Sequence, residues 1–244
     1  MRERLINGHE RHQVGSALKQ HPVFSMMTES ERADLLGAVV SLEARAGAVM
    51  FSEAHPARYC LLLSEGVIAG VRYTSGGDEK FFRTFHAGDV AGLTAMFLPE
   101  GQYLMSYRAL EPTRAYGLPR NRLRAIAESN GRFAAAMLEH TSCRLQASLN
   151  QVDFFTDSSA EQRVAAFLLQ LRSQQNSQEV RLPCRQKQVA LLLGVREETV
   201  SRVLNDFRRE GVLASRRSPI GLLDVDFLEQ LVGPERAHLQ LGAF

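Results

Sequence analysis

Between Gln186 and Asn205 the chain carries a pattern that very few local folds accept. A helix-turn-helix needs a small residue where two helices cross, a glycine able to take a left-handed turn, and apolar residues that clamp the pair. Ala190 is the small residue, Gly194 stands four later at the turn, and Val189, Leu193, Val195, Val200 and Val203 fill the clamp. The spacing predicts one helix over residues 185–193 and a second over 197–210. The second then presents Arg196, Glu197, Glu198, Thr199, Ser201, Arg202 and Asn205 outward. Arginine can make two hydrogen bonds to guanine O6/N7, and a carboxylate accepts from cytosine N4, so this face is the candidate for reading base edges in a major groove. The alternative is a plain helical hairpin with a surface of ion pairs. Residues 211–213, 214–218 and 222–225 read as strand, basic tip and returning strand, a wing whose Arg216 and Arg217 would contact phosphates.

Charge follows the same division. Formal net charge is only +2, and residues 1–180 hold 19 basic and 19 acidic side chains. Residues 181–217 hold nine basic against four acidic, the one strongly basic segment of the chain and the footprint expected for a polyanion.

Upstream, short apolar or alternating runs at 48–51, 59–63, 67–73, 80–85 and 114–118 are separated by Gly47, Gly66, Ser75-Gly-Gly-Asp78, Ala87-Gly-Asp89 and Pro112. Turn residues at this close spacing predict an all-β barrel or sandwich, with a hairpin at 75–78. Thr28-Glu-Ser-Glu31 heads a helix to Val40, with Thr28 as N-cap and Glu31 closing a capping box. From Pro119 the period becomes helical, over 122–129 and then 132–155. In the longer helix Leu138, Leu145 and Val152 recur every seven residues with Ser142 and Leu149 interleaved. Such a seam suits packing against a copy of itself, and an ordinary core helix is the alternative. Ser158 or Ser159 restarts a helix buried along Val164, Phe167, Leu168 and Leu171; residues 173–178 read as a surface loop. The expected class is therefore α+β, with a roll over 21–130, a dimerisation helix over 131–156 and a winged helix-turn-helix over 157–232.

Several function classes find no residues to support them. No apolar run reaches the ~18 residues of a membrane span, and Met1-Arg-Glu-Arg-Leu-Ile-Asn-Gly8 has no apolar stretch of a secretion signal. Cys60, Cys143 and Cys184 are too few and too scattered for a disulfide framework, which suits a cytoplasmic protein. Cys60 and Cys143 sit in apolar-periodic segments and are expected to be buried and inert. An enzyme would need convergent nucleophile, base or metal ligands, and His86 stands alone in its strand corner.

Taken together, the chain resembles bacterial transcription regulators of the Crp/Fnr family over residues 21–231. The resemblance rests on Ala46-Gly-Ala-Val-Met-Phe51, Leu63-Ser-Glu-Gly66, Ser75-Gly-Gly77 and Gly88-Asp89 of a cyclic-nucleotide-binding-like jelly roll, on the long helix, and on Glu197-Glu-Thr-Val-Ser-Arg202. Glu198, Ser201 and Arg202 follow the order of the Fnr-like branch; Glu197 stands where the cyclic-AMP-receptor branch has an arginine. The resemblance implies a homodimer that binds double-stranded DNA at a TTGA-N6-TCAA-like palindrome and acts with RNA polymerase, as an activator or a repressor, gated by an effector at the roll.

The identity of that effector is less well marked. Relatives that bind cyclic nucleotides carry a glutamate after the Gly88-Asp89 corner and an Arg-Ser or Arg-Thr pair beyond it. Here Leu93 and Tyr103-Leu104 fall at those places, with Arg108 assigned to the following strand, so no cyclic AMP is expected. An Fe–S cluster needs four thiolates and three cysteines exist, so none is expected either. Haem, as in Fnr-like regulators that sense nitric oxide, stays a candidate with His9, His12, His21, His55, His86 and His140 as ligands, and a redox signal is another. A cyclic-nucleotide-binding regulatory module is the competing reading for the whole chain; it leaves the winged motif without a task.

Overall fold

A computed structural model describes residues 1–73, 79–183 and 185–233. Two compact units make up the chain, Met1–Arg144 and Leu145–Phe244.

The first unit is built on two antiparallel sheets. One has the order β1 (Arg2–Leu5), β2 (Val40–Ala44), β9 (Thr113–Pro119), β4 (Tyr59–Glu65) and β7 (Val90–Ala91). The other has the order β3 (Val49–Phe51), β8 (Ser106–Ala109), β5 (Ile68–Tyr73) and β6 (Glu79–Phe85). Their apolar residues meet in one core that includes Leu42, Leu61, Leu63, Ile68, Phe85 and Leu118. The five expected strands are all present within one or two residues of their bounds. The expected hairpin at 75–78 lies outside the described residues; on either side of it Tyr73 pairs with Glu79. Gly66 is required by its turn: it has φ +84°, and a Cβ there would stand 2.6 Å from the Pro112 carbonyl oxygen.

Helix α2 (Glu29–Ala38) starts as the sequence predicts. The Thr28 hydroxyl accepts from the Glu31 N–H at 3.2 Å, and the Glu31 carboxylate accepts from the Thr28 N–H at 2.8 Å. It stops short of Val40, the end that the apolar period predicts; Val40 instead begins β2 and pairs with Gly117. Two elements at the start of the chain were not anticipated. Residues 1–20 form β1 and α1 (Gly8–Gln20), the helix capped by Asn7 and Glu10. Arg4 grips the Glu10 carboxylate with both terminal nitrogens, at 2.7 and 2.6 Å. That grip and the Asn7 N–H hold the Glu10 carboxyl down to about 2.

Helix α3 (Arg120–Ser129) leads into α4 (Gly131–Asp157), 27 residues long, which begins in the first unit and ends in the second. The second unit packs α5 (Ala160–Gln175), α6 (Gln186–Leu192), α7 (Glu197–Arg209) and α8 (Val225–Val232) around Phe154, Phe167, Leu168, Val203, Phe207 and Leu228. Ser159 caps α5, and Val164, Phe167, Leu168 and Leu171 are all buried. The stretch read as a loop from residue 173 is helical to Gln175, because its exposed last turn tolerates polar residues; Asn176, in the left-handed conformation, ends it.

The wing differs from expectation. Residues 222–225 do not form a returning strand. β11 (Ile220–Gly221) pairs instead with β10 (Glu179–Val180), a single bridge joins Leu213 to Leu222, and Val225 already opens α8. Asp224 explains the switch, since its carboxylate caps the Phe227 N–H at 2.9 Å and commits the chain to helix.

Candidate nucleic-acid interface

The turn between α6 and α7 is closed by backbone bonds from Leu193 N–H to the Val189 carbonyl (3.0 Å) and from Val195 N–H to the Ala190 carbonyl (3.0 Å). Gly194 takes φ +63°, the left-handed conformation its position demands. Val189, Ala190, Leu193, Val200 and Val203 are buried and Val195 is half-buried against the same core. Helix α7 buries Val200, Val203, Leu204 and Phe207, spaced so that they fall on one face.

On the other side, Glu197, Glu198 and Arg202 are exposed, while Thr199, Ser201 and Asn205 are half-buried along the rim. Arg196 is exposed as well, but it is the N-cap of α7 and stands just before the helix rather than on its face. Glu197 and Glu198 in the first turn and Arg208 and Arg209 in the last also complement the helix dipole. Arg209 is paired with Asp206 at 2.8 Å. Among the described residues, no ion pair engages Arg196, Glu197, Glu198 or Arg202. At the wing tip Arg216 and Arg217 are exposed, held by a turn in which the Ser215 hydroxyl donates to the Pro219 carbonyl at 3.0 Å. All nine proposed contact residues thus lie in the second unit, seven in or next to α7 and two at the wing.

The seam of α4 is also laid bare. Leu138, Leu145, Leu149 and Val152 are each 60–70% exposed, and Ser142 between them is exposed too. Water would cover apolar rows of this kind only at a cost in free energy.

Inside the roll the picture is reversed. Leu93 and Tyr103, at the places where a nucleotide-binding relative would carry charge, are 4% and 2% exposed. The Tyr103 hydroxyl donates to the Tyr59 carbonyl at 2.7 Å. Its ring stacks on Phe51 at 4.8 Å and meets Tyr107 edge-on at 5.8 Å, and Tyr107 meets Phe85 at 5.9 Å. Burial raises both phenols and the Cys60 thiol above their ordinary values. Leu104 is exposed, and Arg108 lies in β8 as expected, paired with Glu79. Cys60 is buried, but Cys143 is exposed, against expectation: the apolar rows of α4 beside it have no covering element in the described chain. Cys184 is outside the described residues.

His9, His12, His55 and His86 are exposed. His21 and His140 are half-buried, their ring centroids 6.4 Å apart. Burial lowers both imidazoles, and His21 is further lowered by His140. Among the described residues no group of three or more His, Cys, Asp or Glu is placed to hold a metal ion, and no helix is long and apolar enough to cross a membrane.

Comparison with known proteins matches both units. Residues 162–231 fit the family described as the Crp-like helix-turn-helix domain, and residues 41–130 fit the cyclic nucleotide-binding domain. The chain is 26% identical over 195 residues to the fumarate nitrate reduction regulatory protein of Klebsiella oxytoca, covering 78% of this chain and 77% of that one. It is 23% identical over 192 residues to the transcriptional activator protein Anr of Pseudomonas aeruginosa, covering 77% and 78%. Among solved structures, FixK2 of Bradyrhizobium japonicum shares the fold with a TM-score of 0.68 at 22% identity, over 80% of this chain and 98% of that chain.

Proposed function

We propose, from the premise that this chain belongs to the Crp/Fnr family of DNA-binding transcription regulators, that it works as a homodimer reading a TTGA-N6-TCAA-like palindrome. The observation that carries this reading is the charged face of α7, on which Arg202, Glu197 and Glu198 engage no ion pair among the described residues. Charges left without internal partners are ready to bond with base edges. Arg202 would take the guanine of each half-site, with Glu198 and Ser201 beside it. Arg196, Glu197, Thr199 and Asn205 would flank them, and Arg216 and Arg217 would grip phosphates and set register.

Two copies are required by the palindrome. Half-sites of this operator are centred ten base pairs apart, one turn or about 34 Å of duplex, so two recognition helices related by a two-fold axis fall on one side of the DNA. Leu138, Ser142, Leu145, Leu149 and Val152 supply the seam along which the copies would pair.

At the roll an effector shifts the balance between binding and non-binding arrangements of the dimer. Buried neutral side chains at Leu93 and Tyr103 offer nothing to a cyclic phosphate. A haem would draw on His21 or His140, which are half-buried and whose charged form burial disfavours; His9, His12, His55 and His86 are exposed. When bound, haem supplies a site for a diatomic gas. Titrating haem into purified protein and into a His140→Ala variant checks this part, with a Soret shift in the first and a weaker one in the second expected.

The bound complex would act with RNA polymerase. A gel shift with the TTGA-N6-TCAA duplex and a scrambled control tests the core of the proposal. Retention of the first at salt that releases the second is expected, and equal retention of both overturns the operator assignment.

A further inference from the structure

In the second unit, one arginine joins two helix ends that the sequence does not connect. Arg163, in the first turn of α5, donates from Nε to the Ser158 carbonyl at 3.1 Å and from Nη1 to the Leu193 carbonyl at 3.2 Å. Leu193 is the C-cap of α6, at the helix-turn-helix turn. Ser158 follows α4 directly, and its N–H closes on the Phe154 carbonyl at 3.0 Å. Both acceptors therefore belong to the carbonyls that a helix leaves without an internal donor at its C-terminus. A cation there is favoured by both helix dipoles at once. Guanidinium suits the task because it is planar, always charged, and directs its donors in a fixed fork. It also lies against the turn itself, since a Cβ on Gly194 would be 3.5 Å from Nη1.

We propose that Arg163 is a positioning residue for sequence recognition, tying the end of α4 to the α6–α7 turn and so setting the angle at which α7 is presented to the groove. The proposal rests on the reading that α7 reads base edges. Base contacts need the side chains within about 0.5 Å and 10–20° of the productive geometry. Phosphate contacts set register and orientation and carry no sequence information directly. Loosening the tie therefore costs discrimination before it costs attraction. The same link is a route by which a displacement at the end of α4 reaches the recognition helix, because the two carbonyls share one rigid group.

The test uses full-length protein with Arg163→Met and Arg163→Lys. Each is titrated against a duplex that the wild type selects from a random pool and against a shuffled duplex, at fixed salt. In Arg163→Met the ratio of specific to non-specific affinity should fall about tenfold, the discrimination of one well-placed bidentate base contact. Arg163→Lys, with one ammonium in place of the fork, should recover part of it. Non-specific affinity and its salt slope should stay at the wild-type value, and hydrogen exchange should quicken at the Gly194 and Val195 amides. An unchanged ratio in both variants, or equal loss on both duplexes, overturns the proposal while leaving the reading of α7 intact. Should Arg163→Met melt below the assay temperature, Arg163→Lys decides alone. A wild type that selects no duplex overturns the reading and this inference together.

Discussion

Four arginines of the first unit and two beside α7 in the second meet opposite surroundings. In the first, Arg4 is held by Glu10, Arg72 by Glu53, Arg114 by Glu43 and Glu65, and Arg122 by Asp34. In the second, Arg202 on the exposed side of α7 and Arg196 just before that helix engage no carboxylate among the described residues, although Glu197 and Glu198 are close in sequence. Arg196 and Glu197 are adjacent and do not face each other, whereas Glu198 and Arg202 stand four apart on one side of α7, a spacing that allows pairing, and are still not joined. The difference is one of pairing more than of charge, and the proposed base contacts would use the unpaired charges of α7. A segment with 19 basic and 19 acidic residues can cancel locally, whereas nine against four cannot.

The sharpest way to break this contrast is to leave α7 intact and separate the copies. Leu145→Glu together with Leu149→Glu should yield monomers in sedimentation, with operator affinity falling by two orders of magnitude or more, since the second half-site no longer binds intramolecularly at ~100–10,000-fold advantage. Unchanged mass would move the dimer contact elsewhere. Next in size, Arg202→Ala should remove preference for the guanine at a cost of about 1–3 kcal/mol in a competition assay, with non-specific binding retained. Arg216→Ala and Arg217→Ala should act differently, weakening all duplexes alike and each lowering the slope of log affinity against log salt by about one.

The smallest effect is expected where the charge is already paired. Glu10 is held at about 2 in the folded chain against an ordinary 4.5, chiefly by Arg4. A depressed carboxyl stabilises the fold above its unfolded value and loses that contribution as pH falls from about 4.5 towards 2. Thermal melts of wild type and Glu10→Gln should therefore differ at neutral pH and converge in that window, with DNA discrimination untouched. A Glu10→Gln protein that loses operator preference would mean that the paired charges of the first unit serve recognition as well.

How far the sequence can be read depends on whether the signal is local. Thr28 with Glu31, Ser159 ahead of α5, and the Ala190–Gly194 turn were all legible, because capping and crossing are settled within a few residues. β1, α1 and the true partner of β11 were not. β1 is four exposed residues with no alternation to read, and it is a strand because β2 offers it an edge. β11 pairs with β10, about forty residues earlier, for the same kind of reason. Arg163 carried no signal beyond a charge near a helix start, since the Leu193 carbonyl it bonds lies 30 residues away.

Composition, turn residues and apolar periods by themselves determined the class of each region, the helix-turn-helix and the row of α4 suited to self-pairing, for these follow from rotation per residue along a single element. Only the tertiary structure decided which charges are cancelled, which thiol is buried, how aromatic rings fill the roll, and that two helix ends share one guanidinium. Those outcomes depend on distances between segments far apart in the chain, and packing alone sets them.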